Sequence, residues 1–411
     1  MTEPRPIRHA LAFIFVTVLI DSIGFGIVTP VLPELIMHLT GRDLAGAAPI
    51  SGYLGVGYAV MQFVFAPLIG GLSDRFGRRP VLLASLAAFS LDYAAMAFAP
   101  TIAWLFAARL VAGVTGASFG TAYAYVADVS PPDRRGANFG IIGMGFGLGF
   151  IIGPALGGVL AHYGTPVPFM VAAGLALVNV AYGYFVLPES LSPENRRPFD
   201  LKRANPIGSV LRIRKYSPAV MTLVMATFLW VVGFQALPVT WNYFTIARFG
   251  WSTAQIGYSF AAVGLVAIIM QGGVGRLIIP RVGERRVVIA GGISAIAAYL
   301  IYTFAQAGWQ MYVGIAVGGL SGLVYQSMQA LMSREVGPSE QGELQGAIAS
   351  IFSIASIIGP LAMTQVFARF VAADAPVYLP GAPFVLAALL SAGMLAVFVG
   401  VKVRSAPSGT G

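Results

Sequence analysis

Three ionisable side chains fall inside long apolar runs, Asp21, Asp92 and Arg109, and Glu34 stands at the end of the first run after Pro30 and Pro33. A charge at the centre of a bilayer costs about 2.5–3.5 kcal/mol on insertion scales, so such residues point first to ion paths and binding sites. Asp21 lies roughly 16 Å into its run at 1.5 Å per residue, close to mid-bilayer for a helix that spans it. Arg109 sits at comparable depth in its own run, and Asp92 about midway along another. A carboxyl group there can take up and release a proton as water reaches it. Burial and a neighbouring guanidinium act on it in opposite senses. We read Asp21 as the proton-binding carboxylate with Arg109 as its electrostatic partner; a permanent Asp21–Arg109 ion pair joining two helices is the other reading. A second cluster lies between runs, at Gly70-Gly71-Leu72-Ser73-Asp74-Arg75-Phe76-Gly77-Arg78-Arg79-Pro80. Its glycines allow a tight turn and its charges form a compact polar knot.

The elements that must hold these residues are membrane helices. The chain has 411 residues, 57% of them hydrophobic and only 10% charged. A soluble domain carries about 25% charged residues, so the composition excludes a soluble or disordered protein. Long uninterrupted runs exclude a porin-type barrel, whose strands are short and alternating. Cysteine is absent, which removes disulfides and thiol chemistry. The N-terminal run contains Asp21 and continues to Pro33, so it reads as a retained helix rather than a cleaved signal. A bilayer needs roughly 20 mostly apolar residues per crossing. Reading on that basis predicts twelve spans, numbered here 1 to 12: 10–33, 49–70, 80–99, 101–128, 136–160, 166–188, 218–247, 253–279, 285–306, 308–333, 340–370 and 381–402. The fold class is an all-α membrane protein of two six-helix pseudo-repeats. Residues 1–188 form the first bundle, 189–217 a central loop, 218–404 the second bundle and 405–411 a disordered tail.

With the N-terminus inside, 21 of the 25 Lys and Arg fall in cytoplasmic segments. That asymmetry predicts both termini in the cytoplasm. It also accounts for the net charge of +9 without nucleic acid, because the charge is dispersed over separate loops. At an offset of 206 residues Gly113, Gly116, Gly136, Gly153 and Pro154 meet Gly319, Gly322, Gly342, Gly359 and Pro360. Gly77 meets Gly283 and Pro132 meets Pro338. Two parallel repeats are an architecture of secondary transporters, with the binding site between them. No phosphate-binding loop of the G-x-x-x-x-G-K-[ST] type occurs, so the energy source is a gradient.

The Gly70–Pro80 loop resembles the signature loop of the major facilitator superfamily, G-x-L-a-D-r-x-G-r-k, and the span count, repeat and central loop extend the resemblance over almost the whole chain. The resemblance implies a gating latch of Gly71, Asp74, Arg75, Gly77 and Arg78, completed by Asp128 at the end of span 4. Asp74 would face the start of span 11 near Ser339, where a carboxylate gains about 0.3–1 kcal/mol from the helix dipole. The second half has Pro280 where Asp74 would repeat, so a one-sided latch is expected. Arg109 with Gly113 resembles the superfamily's R-x-x-x-G motif. Gly149, Gly153, Pro154, Gly157 and Gly158 on span 5 resemble its antiporter motif; small residues at such spacing also let helices pack closely.

The chain also resembles tetracycline-efflux proteins of the drug:proton antiporter group. The resemblance rests on Leu19 to Gly26, Leu91-Asp92-Tyr93, Arg109 to Gly113, Ala127-Asp128 and Trp251-Ser252 with Gly257. That group has a His in span 8 and an Asp in span 9; here Ala267 and Ala295 stand there, so metal–drug handling is not carried over. Between Asp200 and Asp374 the only acidic residues are Glu284, Glu335, Glu340 and Glu343, all at the inner ends of spans, so the middle of no second-half span holds a carboxylate. That half offers Gln235, Trp241, Asn242 and Tyr243 on span 7, Gln271 on span 8, and Tyr325, Gln326 and Gln329 on span 10. We take Gln235, Trp241, Asn242, Tyr325, Gln326 and Gln329 as candidate substrate contacts; hydrogen bonding between helices is the plainer reading of each amide. His9, His38 and His162 do not cluster, so no metal is assigned. The expectation is a proton-coupled exporter of a small amphipathic organic compound in a bacterial inner membrane, acting as a single chain with no cofactor beyond the proton. A metabolite importer or uniporter, or a non-transporting membrane receptor, would share the scaffold.

Overall fold

The computed structural model describes residues 5–116, 119–131, 135–197, 217–337 and 341–401, and among these all regular structure is helical. Eleven helices are long and apolar enough to cross a membrane. They coincide with the expected spans 1 to 9, 11 and 12. The expected span 10 is helical but interrupted: Trp309–Val317, a 3-10 segment Gly318–Leu323, then Val324–Arg334. Gly318, Gly319 and Gly322 weaken regular helix there, and Gln326 and Gln329 lower its apolar character. Span 8 is interrupted too, by a π-helical stretch Ile269–Val274 between Thr253–Ile268 and Gly275–Val282.

Span 1 forms Arg5–Val28 and is followed by a short helix, Leu32–Thr40, that ends on Gly41 at φ +64°. Span 2 runs Leu44–Phe76 and starts on Asp43, whose side chain accepts from the Gly46 N–H at 2.9 Å. Spans 3 and 4 are Arg78–Ala97 and Ile102–Gly116 with Phe119–Val129. Spans 5 and 6 are Arg135–Leu160 and Pro166–Val186. Span 7 comprises Pro218–Phe234 and Ala236–Phe249, span 9 Glu284–Phe304, span 11 Gln341–Val371 and span 12 Ala382–Val399. The expected disordered tail, most of the central loop and the turn at Ser339 lie outside the described residues.

Packing divides the chain into two compact units, Met1–Asn205 with Gly250–Leu265, and Pro206–Phe249 with Val266–Gly411. Within the first, span 1 lies along span 5, and small residues set the distance. A Cβ on Gly153 would come 2.6 Å from the Ile23 carbonyl oxygen, and one on Gly157 2.9 Å from Ile27 Cα. On another face of span 5, a Cβ on Gly158 would come 2.7 Å from the Thr253 carbonyl oxygen, and Gly257 rests equally closely on Pro154. The antiporter-motif glycines are therefore backbone contact points on two faces of one helix. In the second unit the core is aromatic: Trp241 packs edge-on against Tyr302 and Phe384, with ring centres 5.1 and 6.2 Å away.

Candidate functional site

The first unit holds a small recess beside Asp21. Ile14, Thr17 and Val18 of span 1, Leu82 and Leu86 of span 3 and Ala122 of span 4 complete its lining. The Asn179 amide of span 6 donates to Asp21 Oδ1 at 3.2 Å and to the Thr17 carbonyl oxygen at 3.1 Å. Among the described residues no ion pair involves Asp21. Its hydrogen-bond partner is a neutral amide.

The expected Asp21–Arg109 partnership is corrected. Arg109 Nη2 pairs with Asp92 Oδ2, joining spans 4 and 3, and the Asp92 side chain is wholly buried. The same nitrogen lies 2.9 Å from the Met96 sulfur, and the guanidinium sits 6.0 Å from the Tyr58 ring centre. Asp21 and Arg109 share a depth, but the rotation of their helices points them to different partners. Span 4 also lies close along span 2, which carries Tyr58: a Cβ on Gly113 would lie 2.8 Å from Met61 Cβ, and Gln62 donates to the Gly116 carbonyl oxygen at 3.1 Å.

Of Gly70–Pro80, expected as a loop, only Gly77 lies outside helix, between the end of span 2 and the start of span 3; the charged cluster there centres on Arg78, only 9% exposed. Its Nη1 reaches Asp74 Oδ1 and Ser73 Oγ, each at 2.6 Å, and its Nε reaches Asp128 Oδ2 at 3.2 Å. Ser190 Oγ donates to the same Asp128 oxygen at 3.1 Å. Arg75 stays exposed with its guanidinium 5.1 Å from the Phe76 ring centre. The expected approach of Asp74 to the start of span 11 falls on residues outside the described set.

The carboxylate that organises the loop is Glu189, a residue absent from the sequence reading. It accepts from the Arg78 N–H at 2.8 Å and the Arg79 N–H at 3.3 Å, two of the free donors at the start of span 3. It accepts also from the Ser190 and Leu191 N–H groups. Gly77 makes room for it: φ is +105°, and a Cβ there would come 2.7 Å from the Glu189 carboxyl carbon. Its signal was a lone carboxylate in Leu187-Pro188-Glu189-Ser190, just past an apolar run. Hydrogen bonds to a charged group contribute about 1.5–3 kcal/mol. Glu189→Ala is therefore expected to lower unfolding stability by about that amount, measured by denaturation in detergent, with Glu189→Gln milder.

The second unit repeats the Arg78–Asp128 pair with its charges exchanged. Adding the 206-residue offset gives Glu284 and Arg334, which pair. Pro280 does replace Asp74, as the sequence showed, yet an ion pair persists at the repeat positions.

Of the candidate substrate contacts, the structure groups some and removes others. Gln326 Nε2 donates to Gln271 Oε1 at 2.9 Å, bringing the π stretch of span 8 to span 10. Gln329 donates to the Tyr325 hydroxyl at 3.3 Å, and Tyr325 packs against Phe352. Gln235 stands apart against Gly359. Trp241 is fully buried in the aromatic core and Asn242 is buried beside it in sequence. The structure thus accounts for Trp241 by packing in the core of the second unit, against Tyr302 and Phe384.

Twelve predicted crossings, an intramembrane carboxylate beside a recess and a charged loop that ties helix ends together define a multi-pass secondary transporter. The chain belongs to the Major Facilitator Superfamily, whose family model matches residues 14–360. It is 38% identical to the class C tetracycline resistance protein of Escherichia coli, over 88% of this chain and 90% of that protein. It is 36% identical to the class G tetracycline resistance protein of Vibrio anguillarum, over 85% of this chain and 88% of that one. The human organic anion transporter MFSD10 shares the fold, with a TM-score of 0.72 at 24% identity, over 96% of this chain and all of that one.

Proposed function

We propose that this transporter exports a small, amphipathic organic compound in exchange for protons, by alternating access, from a bacterial cytoplasm across the inner membrane. The observation that carries the reading is Asp21: a carboxylate inside a span, facing a recess, hydrogen-bonded by a neutral amide and held by no cation among the described residues. A buried carboxyl without a fixed counter-charge suits a group that gains and loses a proton as access alternates. Asp92 and Arg109 neutralise one another and serve to join spans 3 and 4. Arg78, Asp74, Asp128 and Glu189 govern the closure of the loop end, which the charge asymmetry places in the cytoplasm with both termini. Gln271, Tyr325, Gln326 and Gln329 supply neutral donors, acceptors and an aromatic face for the substrate. The relatives are named for tetracycline resistance, an effect a membrane transporter produces by moving the compound outward, which favours export over the importer and receptor readings.

The test is a liposome assay with an internal pH dye and a panel of amphipathic compounds, tetracycline included. Proton movement opposite to, and dependent on, substrate flux is expected. Substrate flux with no accompanying proton movement would overturn the coupling.

A further inference from the structure

Thr17 lies one helical turn before Asp21 and lines the same recess. It is 4% exposed, and its hydroxyl has no hydrogen-bond partner. That is unusual within this protein. The buried threonines Thr227, Thr240, Thr245, Thr303 and Thr364 each donate to the carbonyl four residues back along their helix. The local bond removes the cost of burying a hydroxyl, about 1–3 kcal/mol when unsatisfied. Thr121 shares the unpartnered hydroxyl but does not line the recess. In Thr17 the backbone carbonyl is already engaged by Asn179, whose same nitrogen donates to Asp21. The hydroxyl and the carboxyl thus line one water-sized space, and a water bound in a buried site needs two to four polar partners.

We propose that this recess binds a water molecule bridging the Thr17 hydroxyl and the Asp21 carboxyl. Thr17 is thereby a positioning residue for the proton that Asp21 exchanges. As the carboxyl releases its proton the bound water accepts it and passes one of its own protons to solvent on the open side; on reloading the water gives a proton to the carboxylate and takes one from solvent, and the Thr17 hydroxyl fixes the orientation of that water. The proposal rests on the proton-coupled reading above.

Thr17→Val keeps the shape and deletes the hydroxyl; Thr17→Ser keeps the hydroxyl. Both are reconstituted in liposomes and assayed for proton-driven export and for substrate-for-substrate exchange, which moves no net protons. Thr17→Val is expected to slow proton-driven export about tenfold, the ratio that corresponds to one lost hydrogen bond of ordinary strength. Exchange should stay at the wild-type rate, and Thr17→Ser should restore export. Export by Thr17→Val at the wild-type rate, or an equal fall in export and exchange, would overturn the proposal. Wild-type export driven by a sodium gradient in place of a proton gradient would overturn it too, by assigning the recess to a cation. Absence of any ion coupling in the wild type would instead refute the parent reading, so the two failures are distinct.

Discussion

Asp21→Asn is expected to reduce proton-driven export to background while substrate-for-substrate exchange continues. The replacement has nearly the same volume, and its amide oxygen still accepts from Asn179, so the link between spans 1 and 6 persists. What disappears is the ability to ionise. Because Arg109 is committed to Asp92, nothing charged in the first unit is left unpaired by the change. The expectation therefore separates coupling from folding. In liposomes the pH dye should report no proton flux with the variant, while preloaded labelled substrate still leaves against unlabelled substrate outside. Proton-driven accumulation at the wild-type rate by Asp21→Asn would remove this carboxylate from the transport cycle.

Depth in the membrane was legible in the sequence, and azimuth was not. Counting residues from the start of a span gives a height at 1.5 Å per step. It put Asp21 and Arg109 at one level and so suggested a pair. Which neighbour a side chain meets at that level depends on how each helix is rotated, and rotation is set by packing. The glycines of spans 1, 4 and 5 set that packing, and their contacts are spread over five helices, spans 1, 2, 3, 5 and 8. Hence Arg109 turned to Asp92, while Asp21 turned to Asn179, a neutral residue with no charge to draw attention. The loop was legible because its residues are local: Ser73, Asp74, Gly77 and Arg78 span only a few positions. Glu189 was not, since it closes the same loop from 111 positions away. Trp241 misled for a related reason. An aromatic residue on an apolar helix has the same sequence signature in a core as beside a cavity, and only the arrangement of Tyr302 and Phe384 distinguishes them.

Removing one partner of the Asp92–Arg109 pair is expected to have the largest effect on stability. Asp92→Ala strands a guanidinium that is 12% exposed, with only the Met96 sulfur and the Tyr58 ring left to it. Breaking a buried pair in this way costs about 3–5 kcal/mol, chiefly through the uncompensated charge. Replacing both partners removes that charge: Asp92→Leu with Arg109→Met keeps similar volume, and such exchanges are often neutral or stabilising. Unfolding in detergent should therefore show the single variant strongly destabilised and the double variant close to wild type. Neither side chain lines the recess at Asp21, so the double variant should also retain proton-driven export. A double variant that is as stable as wild type yet does not transport would give the pair a part in the cycle. It would then share the coupling proposed above for Asp21.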